Sequence, residues 1–218
     1  MRMLLLKPEH RSRIDENDDN DFYAYPRFVN HVDDGFISQL TQLYQERLQS
    51  DTPILDLMSS WVSHLPTKMK FSHVEGHGMN EEELAKNSRL DHYFVQNLNL
   101  NPKLPLEDNS FAAVLNTVSI QYIQYPEVIF SEIRRILKPD GIAIISFSNR
   151  MFYQKAISLW RESNEKERLA IVKSYFQAVE GFSKPEIISN TSGLPSFLGM
   201  LGITGPDPFY AVIAHRLS

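Results

Sequence analysis

The sequence has no cysteine among its 218 residues, which excludes disulfides, a thiol nucleophile and a cysteine zinc site. No apolar run approaches the ~20 residues of a membrane span, and the short run at residues 3–6 ends at Lys7 and Pro8, too early for a signal-peptide core. Basic residues are not in excess, because 22 Lys and Arg stand against 27 Asp and Glu. The resulting net charge of −5 argues against a general nucleic-acid binder. We therefore expect a cytoplasmic, enzyme-sized domain with neither a membrane nor a nucleic-acid partner.

Glycine is missing from one loop where nucleotide-binding sheets normally carry it. Residues 53–58 predict a first strand, and the following loop, residues 58–66, contains no glycine. An NAD-binding domain needs Gly-x-Gly-x-x-Gly after its first strand, and a serine hydrolase of the α/β type needs Gly-x-Ser-x-Gly. Neither pattern is present, so both functions are disfavoured.

Histidines at positions 64, 73 and 77 suggest a zinc site at first sight. His73 and His77 fall on a predicted strand and its exit, not on one face of a helix, and no cysteine joins them. We therefore expect no metal site.

The clearest pattern lies between Leu104 and Asn149. A continuous apolar run at 111–115 follows turn residues, as in a buried strand. Pro126 then suits the first turn of a helix, and apolar residues recur at helical spacing to Leu137. Pro139 and Gly141 end that helix before a second apolar strand at 142–148. Strand, helix and strand without alternation predict a parallel βαβ unit with both sheet faces covered.

The remaining elements are predicted from the same signals of periodicity, capping and turn residues. They comprise helices from Asp34 to Ser50, after Asn80, and on both sides of residues 163–164; strands at 71–76, 91–99, 181–189 and 209–215; and a surface loop at 190–208.

The N-terminal residues divide into two parts. Residues 7–21 are dominated by charge and amide, which predicts a solvated, mobile arm. Residues 22–31 carry several aromatics with Arg27 and His31, so they could close over a ligand cleft as a lid or pack on the surface. We treat residues 1–50 as an arm and helix belonging to the same domain as residues 51–218.

Two segments resemble a known family. The strings LPLEDNSFAAVLNTVSIQYI and SEIRRILKPDGIAIISFSN are similar to class I S-adenosylmethionine-dependent methyltransferases of the type-11 branch, and DLMSSWVSHLP resembles a subgroup in which that string replaces the glycine-rich motif. The resemblance implies an α/β, Rossmann-like, doubly wound sheet of seven strands in the order 3-2-1-4-5-7-6, with the last strand antiparallel. It also implies S-adenosyl-L-methionine as cofactor and S-adenosyl-L-homocysteine as product.

The resemblance also assigns cofactor-binding positions along the first four strands. These are Asp56, Met58, Ser59 and Ser60 at the first strand, Gly78 and Met79 at the second, Asn97 and Leu98 at the third, and Ser119 after the fourth. The family glycines correspond to Met58, Ser60 and Val62, an acidic residue that holds the ribose corresponds to Gly78, and a further Asp corresponds to Ala112.

Methyl transfer requires positioning more than a particular catalytic residue, because the cofactor already carries the activated methyl group. His77, Tyr122, His31 and Tyr25 are weak candidates for a base or an orienting group. Two hypotheses remain: a methyltransferase acting on a small molecule, and a catalytically inactive relative that serves as a binding or regulatory module. They differ on whether the cofactor binds. Neither the acceptor nor the oligomeric state follows from the sequence.

Overall fold

The structure, a computed structural model, describes residues 5–190 and 205–218. Most of the loop predicted at 190–208 therefore lies outside the described residues. The helices are α1 (Pro8–Arg11), α2 (Asp19–Phe22), α3 (Asp34–Arg47), α4 (Glu81–Lys86), α5 (Pro126–Ile136), α6 (Ser158–Glu162) and α7 (Glu165–Gln177), with a 3₁₀ turn at Ile120–Tyr122. The strands are β1 (Pro53–Leu57), β2 (His73–Gly78), β3 (His92–Val95), β4 (Phe111–Thr117), β5 (Leu137–Phe147), β6 (Glu186–Asn190) and β7 (Phe209–His215). None of the described helices has the length and apolar character needed to cross a membrane.

All seven strands form one sheet in the order β3-β2-β1-β4-β5-β7-β6, which confirms the predicted topology. Strands β1 to β5 pair in parallel, and β7 runs antiparallel to both β5 and β6. The chain moves outward from β1 to β3 and then returns to the other side of β1 as β4. This reversal opens a crevice at the carboxyl ends of β1 and β4, where ligands bind in sheets of this kind.

The sheet is covered on both faces. Successive strand residues point to opposite sides, so Ile54 packs with Phe36 and Leu40 of α3, while Leu55 belongs to the apolar cluster that contains Ile129 and Ile133 of α5. The two clusters explain why the central strands read as apolar runs without alternation.

Several predicted boundaries are wrong by a few residues; β6, for example, begins at Glu186 and not at Gly181. Strand β5 begins at Leu137, which pairs with Phe111, and not at Ile142, which pairs with Ala113. Residues 138–141 bulge out of the ladder between those pairs, which is why Pro139 and Gly141 read as the end of a helix and the start of a new strand. Strand β2 extends to Gly78, because His77 pairs with Leu57 of β1.

The prediction of a solvated arm at residues 7–21 is wrong. Asp19 is buried and accepts two hydrogen bonds of 2.7 Å from Nη1 of Arg13. Lys155, only 1% exposed, forms ion pairs of 3.1 Å with both Asp15 and Asp19. Composition alone misleads here because the charges pair with one another against the domain.

The same arm is held at its start by a second buried pair. Nη2 of Arg11 lies 3.1 Å from Oε1 of Glu127 on α5, and Arg11 also donates to the backbone oxygens of Leu6 and Gln124. Both ends of the segment are therefore attached to the body of the fold.

We expect Lys155→Ala to lower the free energy of unfolding by about 3 kcal/mol. This value is at the lower end of the range for a broken buried ion pair, because Arg13 still pairs with Asp19 in the variant. Chemical denaturation of the variant and the wild type measures the difference. Lys166→Ala, at an exposed position of α7, is the matched control and should change stability by less than about 0.5 kcal/mol. Equal stability of the two variants would contradict a structural role for the Lys155 cluster.

Candidate cofactor-binding cleft

A cleft opens at the carboxyl ends of β1, β2, β3 and β4, and part of residues 23–32, here called the covering segment, lines its other side. The residues that the resemblance assigned to the cofactor all line it: Asp56, Met58, Ser59, Ser60, Gly78, Met79, Asn97, Leu98 and Ser119. The candidates His31, His77 and Tyr122 line it too. Tyr25 does not, and it is 80% exposed.

The glycine-free loop turns at Met58, whose φ of 59° lies in the left-handed region that favours glycine. The Met58 amide donates to Nδ1 of His77 at 3.1 Å, and the Ser59 amide donates to the His77 carbonyl at 2.6 Å. Nε2 of His77 lies 2.9 Å from the carbonyl oxygen of Gln96. Both ring nitrogens are therefore engaged, and burial lowers the pKa of His77 to about 4, so this residue is poorly placed to act as a base.

The rest of the loop is fixed by side chains that sequence reasoning missed. Oγ of Ser60 donates to Oε2 of Glu83 at 2.6 Å, and Nδ2 of Asn87 donates to the Ser60 carbonyl at 3.0 Å and to Oγ of Ser63 at 2.8 Å. Glu83 also accepts from the backbone amide of Arg27 in the covering segment, at 2.6 Å. Glu83 and Asn87 belong to or follow a short helix, and no spacing in the sequence connects them with the loop.

Asp56 is the buried carboxyl of the cleft. It is 4% exposed, and Oγ of Ser59 donates to its Oδ2 at 2.6 Å. Burial raises the pKa of Asp56 from 3.8 to about 6, since the hydrogen bonds from Ser59 and Ser63 only partly offset the lost hydration of the charge.

The loop and the end of β2 touch at Gly78. A Cβ atom at this position would lie 2.7 Å from the Ser59 carbonyl oxygen and 3.1 Å from Cδ2 of Leu84. An acidic side chain, as the family carries here, does not fit unless the loop moves. The missing carboxylate and the missing glycines are thus two aspects of one local arrangement.

The third strand brings Asn97 and Leu98 to the cleft. Oδ1 of Asn97 accepts from the Asn99 amide at 3.0 Å, and Leu98 is buried in the core. An amide oxygen has two lone pairs, so Asn97 can accept a further hydrogen bond while its side chain is held in place.

The fourth strand ends in a strained turn beside the cleft. Val118 has a φ of 51°, which is rare for a β-branched residue, and its amide donates to the Ser146 carbonyl at 2.8 Å. Oγ of the next residue, Ser119, is buried and has no hydrogen-bond partner among the described residues. A buried hydroxyl in this state fits a site that gains a polar ligand.

Aromatic residues form the cleft wall nearest to the covering segment. The rings of Tyr122 and Phe152 stack with centroids 6.0 Å apart, and the Phe152 amide donates to the Tyr122 hydroxyl at 2.7 Å. His31 packs edge-on against Phe152 at 5.2 Å, and the guanidinium of Arg27 lies 5.3 Å from the same ring. Burial lowers the pKa of His31 and raises that of Tyr122 to about 12, so both are neutral near pH 7.

The comparisons with known proteins agree with this geometry. A family described as a methyltransferase domain matches residues 65–145, from the end of the glycine-free loop into β5. The matched segment makes up less than half of the 218 residues. The enzymes of this family depend on S-adenosylmethionine. The match begins at residue 65, so all but the last two residues of the loop at 58–66 lie outside it. No curated protein matches the sequence.

Solved structures share the fold of this chain at low sequence identity. A chain of the complex with the Haloferax volcanii Trm112 methyltransferase activator aligns with a TM-score of 0.61 and 16% identity over 84% of this chain and 91% of that one. Haemonchus contortus phosphoethanolamine N-methyltransferase 2, solved with S-adenosyl-L-methionine, aligns with a TM-score of 0.54 and 16% identity. The alignment covers 82% of this chain and 52% of that one. The [4+2]-cyclase SpnF aligns with a TM-score of 0.57 and 16% identity over 82% of this chain and 80% of its own.

The histidines considered for zinc do not converge in this methyltransferase fold. Nε2 of His73 bonds to Oε2 of Glu75 at 2.8 Å, whereas the ring of His77 bonds to Met58 and Gln96. Within the part of the chain that the structure describes, no group of three or more His, Cys, Asp or Glu residues could hold a metal ion.

The raised pKa of Asp56 predicts a pH dependence of stability. The folded state binds a proton between pH 3.8 and about 6 that the unfolded state has released, so the contribution of Asp56 to the free energy of unfolding falls as pH rises through this window. A shift of this size corresponds to about 3 kcal/mol. Relative to Asp56→Asn, the wild type should therefore lose about 2 kcal/mol between pH 4 and pH 7, because the rest of the change falls below pH 4. Denaturant unfolding at each pH measures the loss.

Asp21→Asn makes the same substitution at an exposed position and provides the control for the change of residue itself. A constant difference between the wild type and Asp56→Asn across the range would contradict the raised pKa.

Proposed function

We propose that this protein is an S-adenosylmethionine-dependent methyltransferase that acts on a small-molecule acceptor. The observation that carries the proposal is the convergence of all nine cofactor positions, which come from four separate strands, on one cleft. Such a convergence is expected only if the correspondence with the family holds at every strand. The position at the carboxyl ends of β1 and β4, where the strand order reverses, gives independent support.

The residues of the cleft fit the parts of the cofactor. The turn at Met58 to Ser60 lies on the side proposed for the methionine part, and Gly78 offers backbone to the ribose where the family offers a carboxylate. Met79 and Leu98 offer apolar contacts to the adenine, and Asn97 offers an acceptor for its amino group. The bound cofactor supplies a methyl group on a sulfonium, which needs alignment with the acceptor and exclusion of water.

The aromatic wall is the proposed acceptor side. His31 is neutral, and its ring nitrogens have no hydrogen bond to any described residue, so it is free to take a proton from an acceptor. The Tyr122 hydroxyl accepts from Phe152 and keeps its own proton for an acceptor oxygen or nitrogen. We assign His31 the role of base and Tyr122 that of orienting group.

The covering segment is the proposed lid. Arg27 packs over Phe22 at 4.6 Å and over Phe152 at 5.3 Å, while Asn80 of the α4 cap donates to the carbonyls of Tyr23 and Ala24 at 2.8 and 3.2 Å. These contacts attach the segment on both sides of the cleft. A wall of this kind keeps water away from a reactive sulfonium.

The alternative is a catalytically inactive relative that acts as a binding or regulatory module. The departures from the family pattern at Met58, Gly78 and Ala112 favour this alternative. The fold is also shared with a [4+2]-cyclase, and fold does not determine the reaction. Cofactor binding separates the two hypotheses.

We expect calorimetric titration to give micromolar dissociation constants for S-adenosylmethionine and S-adenosylhomocysteine. Asn97→Ala should weaken both by about 3- to 10-fold, because it removes one hydrogen-bond acceptor from the adenine site. Val95→Ala is the matched control, since Val95 is the last residue of β3, two positions before Asn97, but is 47% exposed and outside the cleft.

Absence of binding to either ligand by folded wild-type protein would refute the enzyme hypothesis and leave the binding module. Binding that Asn97→Ala and Val95→Ala affect equally would keep the cofactor but remove the proposed adenine site.

A further inference from the structure

We propose that His77 is the positioning residue of the cofactor site, because its ring holds the glycine-free loop in the turn that a glycine gives other family members. The inference rests on the proposed function, and it concerns a residue that the family pattern does not assign. We call the hydrogen bonds from Met58 to Nδ1 and from Nε2 to Gln96 the histidine bridge.

The need for the bridge begins at Met58. Residues with a Cβ atom rarely adopt a positive φ, and at 59° the Met58 side chain crowds its own backbone. The loop keeps this turn because two successive amides, those of Met58 and Ser59, are both bound by His77, one through the ring and one through the carbonyl. A single buried residue thus fixes the direction of the chain as it leaves β1.

The direction of the bridge follows from its acceptor at Gln96. A carbonyl oxygen can only accept, so Nε2 carries the proton and Nδ1 is left with the lone pair that the Met58 amide requires. His77 is 1% exposed, which keeps the ring neutral, and a protonated ring could not accept from Met58. The bridge therefore requires a neutral His77 ring that carries its proton on Nε2.

The bridge joins the ends of three strands that bound the cleft. Met58 follows β1, His77 lies in β2, and Gln96 follows β3, with the Gln96 amide donating to the Gly78 carbonyl at 3.2 Å. Gly78 completes the arrangement, since its missing side chain leaves room for the Ser59 carbonyl. The loop can follow this path only with a bridging residue at 77 and a glycine at 78.

The test is a double-mutant cycle between His77→Phe and Met58→Gly. Phenylalanine keeps a planar ring of similar volume and removes both nitrogens, so His77→Phe should raise the dissociation constant for S-adenosylhomocysteine at least tenfold. Adding Met58→Gly should recover most of that loss, because glycine adopts a positive φ without the bridge. A merely structural histidine would show the same loss in both backgrounds, and this result would overturn the inference.

Nitrogen-15 NMR of the wild-type histidines gives a second readout that needs no variant. The inference requires Nδ1 of His77 to be unprotonated and Nε2 to be protonated from pH 6 to pH 8, and the opposite tautomer or a charged ring would overturn it. His73→Phe is the matched control on the same strand. Among the residues that the structure describes, the His73 ring bonds only to Glu75, so this variant should leave cofactor affinity unchanged.

Failure of the proposed function and failure of the inference can be told apart. If wild-type protein binds neither S-adenosylmethionine nor S-adenosylhomocysteine, the proposed function fails, and thermal unfolding of the four proteins in the cycle then tests the bridge. A smaller loss from His77→Phe in the Met58→Gly background supports the bridge, and equal losses overturn it. If His77→Phe does not fold, His77→Leu, which also has neither a donor nor an acceptor, replaces it in the cycle with the same outcomes.

Discussion

The parallel pairing of β1 between β2 and β4 is the constraint on which the site depends. Asp56 lies opposite Gly76 of β2 and Leu115 of β4, so the residues that follow each strand leave the sheet at the same edge. Met58, Gly78 and Ser119 are far apart in sequence, and this register alone brings them to one cleft. The apolar residues on both faces of β1 fix the register, because a slip by one position would exchange the two cores.

The acidic N-terminal arm shows how charge can serve packing. Asp19 forms ion pairs with both Arg13 and Lys155, and Nδ2 of Asn99 lies 3.4 Å from Oδ2 of the same carboxylate. Burying isolated charges would be strongly unfavourable, so this geometry is stable only as a complete set. Because Asn99 also donates to the Tyr122 carbonyl at 3.0 Å, the set connects the arm to the aromatic wall of the cleft. The position of the covering segment therefore depends on ion pairs that carry no apolar signal in the sequence.

The sheet could be predicted from sequence because its signals are local or belong to the family. Continuous apolar runs identified β1, β4, β5 and β7, and caps such as Asn80 marked helix starts. The resemblance then supplied the strand order and the positions of the cleft residues. Partners at long range could not be predicted. Nothing local indicates that Lys155 meets Asp15, that Glu83 accepts from Ser60, or that His77 bonds to Met58. Nothing local indicates that Tyr25 lies outside the cleft either, since an aromatic-rich segment does not reveal which of its rings face inward.

The departures at Met58 and Gly78 have a common physical explanation. In the family pattern, a glycine-rich loop lets the backbone come close to the cofactor, and an acidic residue at the end of β2 binds its ribose. In this chain a side chain at position 78 would meet the Ser59 carbonyl, so restoring only the acidic residue would create a clash. Restoring only a glycine at position 58 would give Nδ1 of His77 a hydrogen-bond donor on a more flexible backbone. Random loss of function would not be expected to leave complementary changes in contact with one another. The arrangement of Met58, His77 and Gly78 therefore favours a cleft that still holds a ligand over one that has decayed.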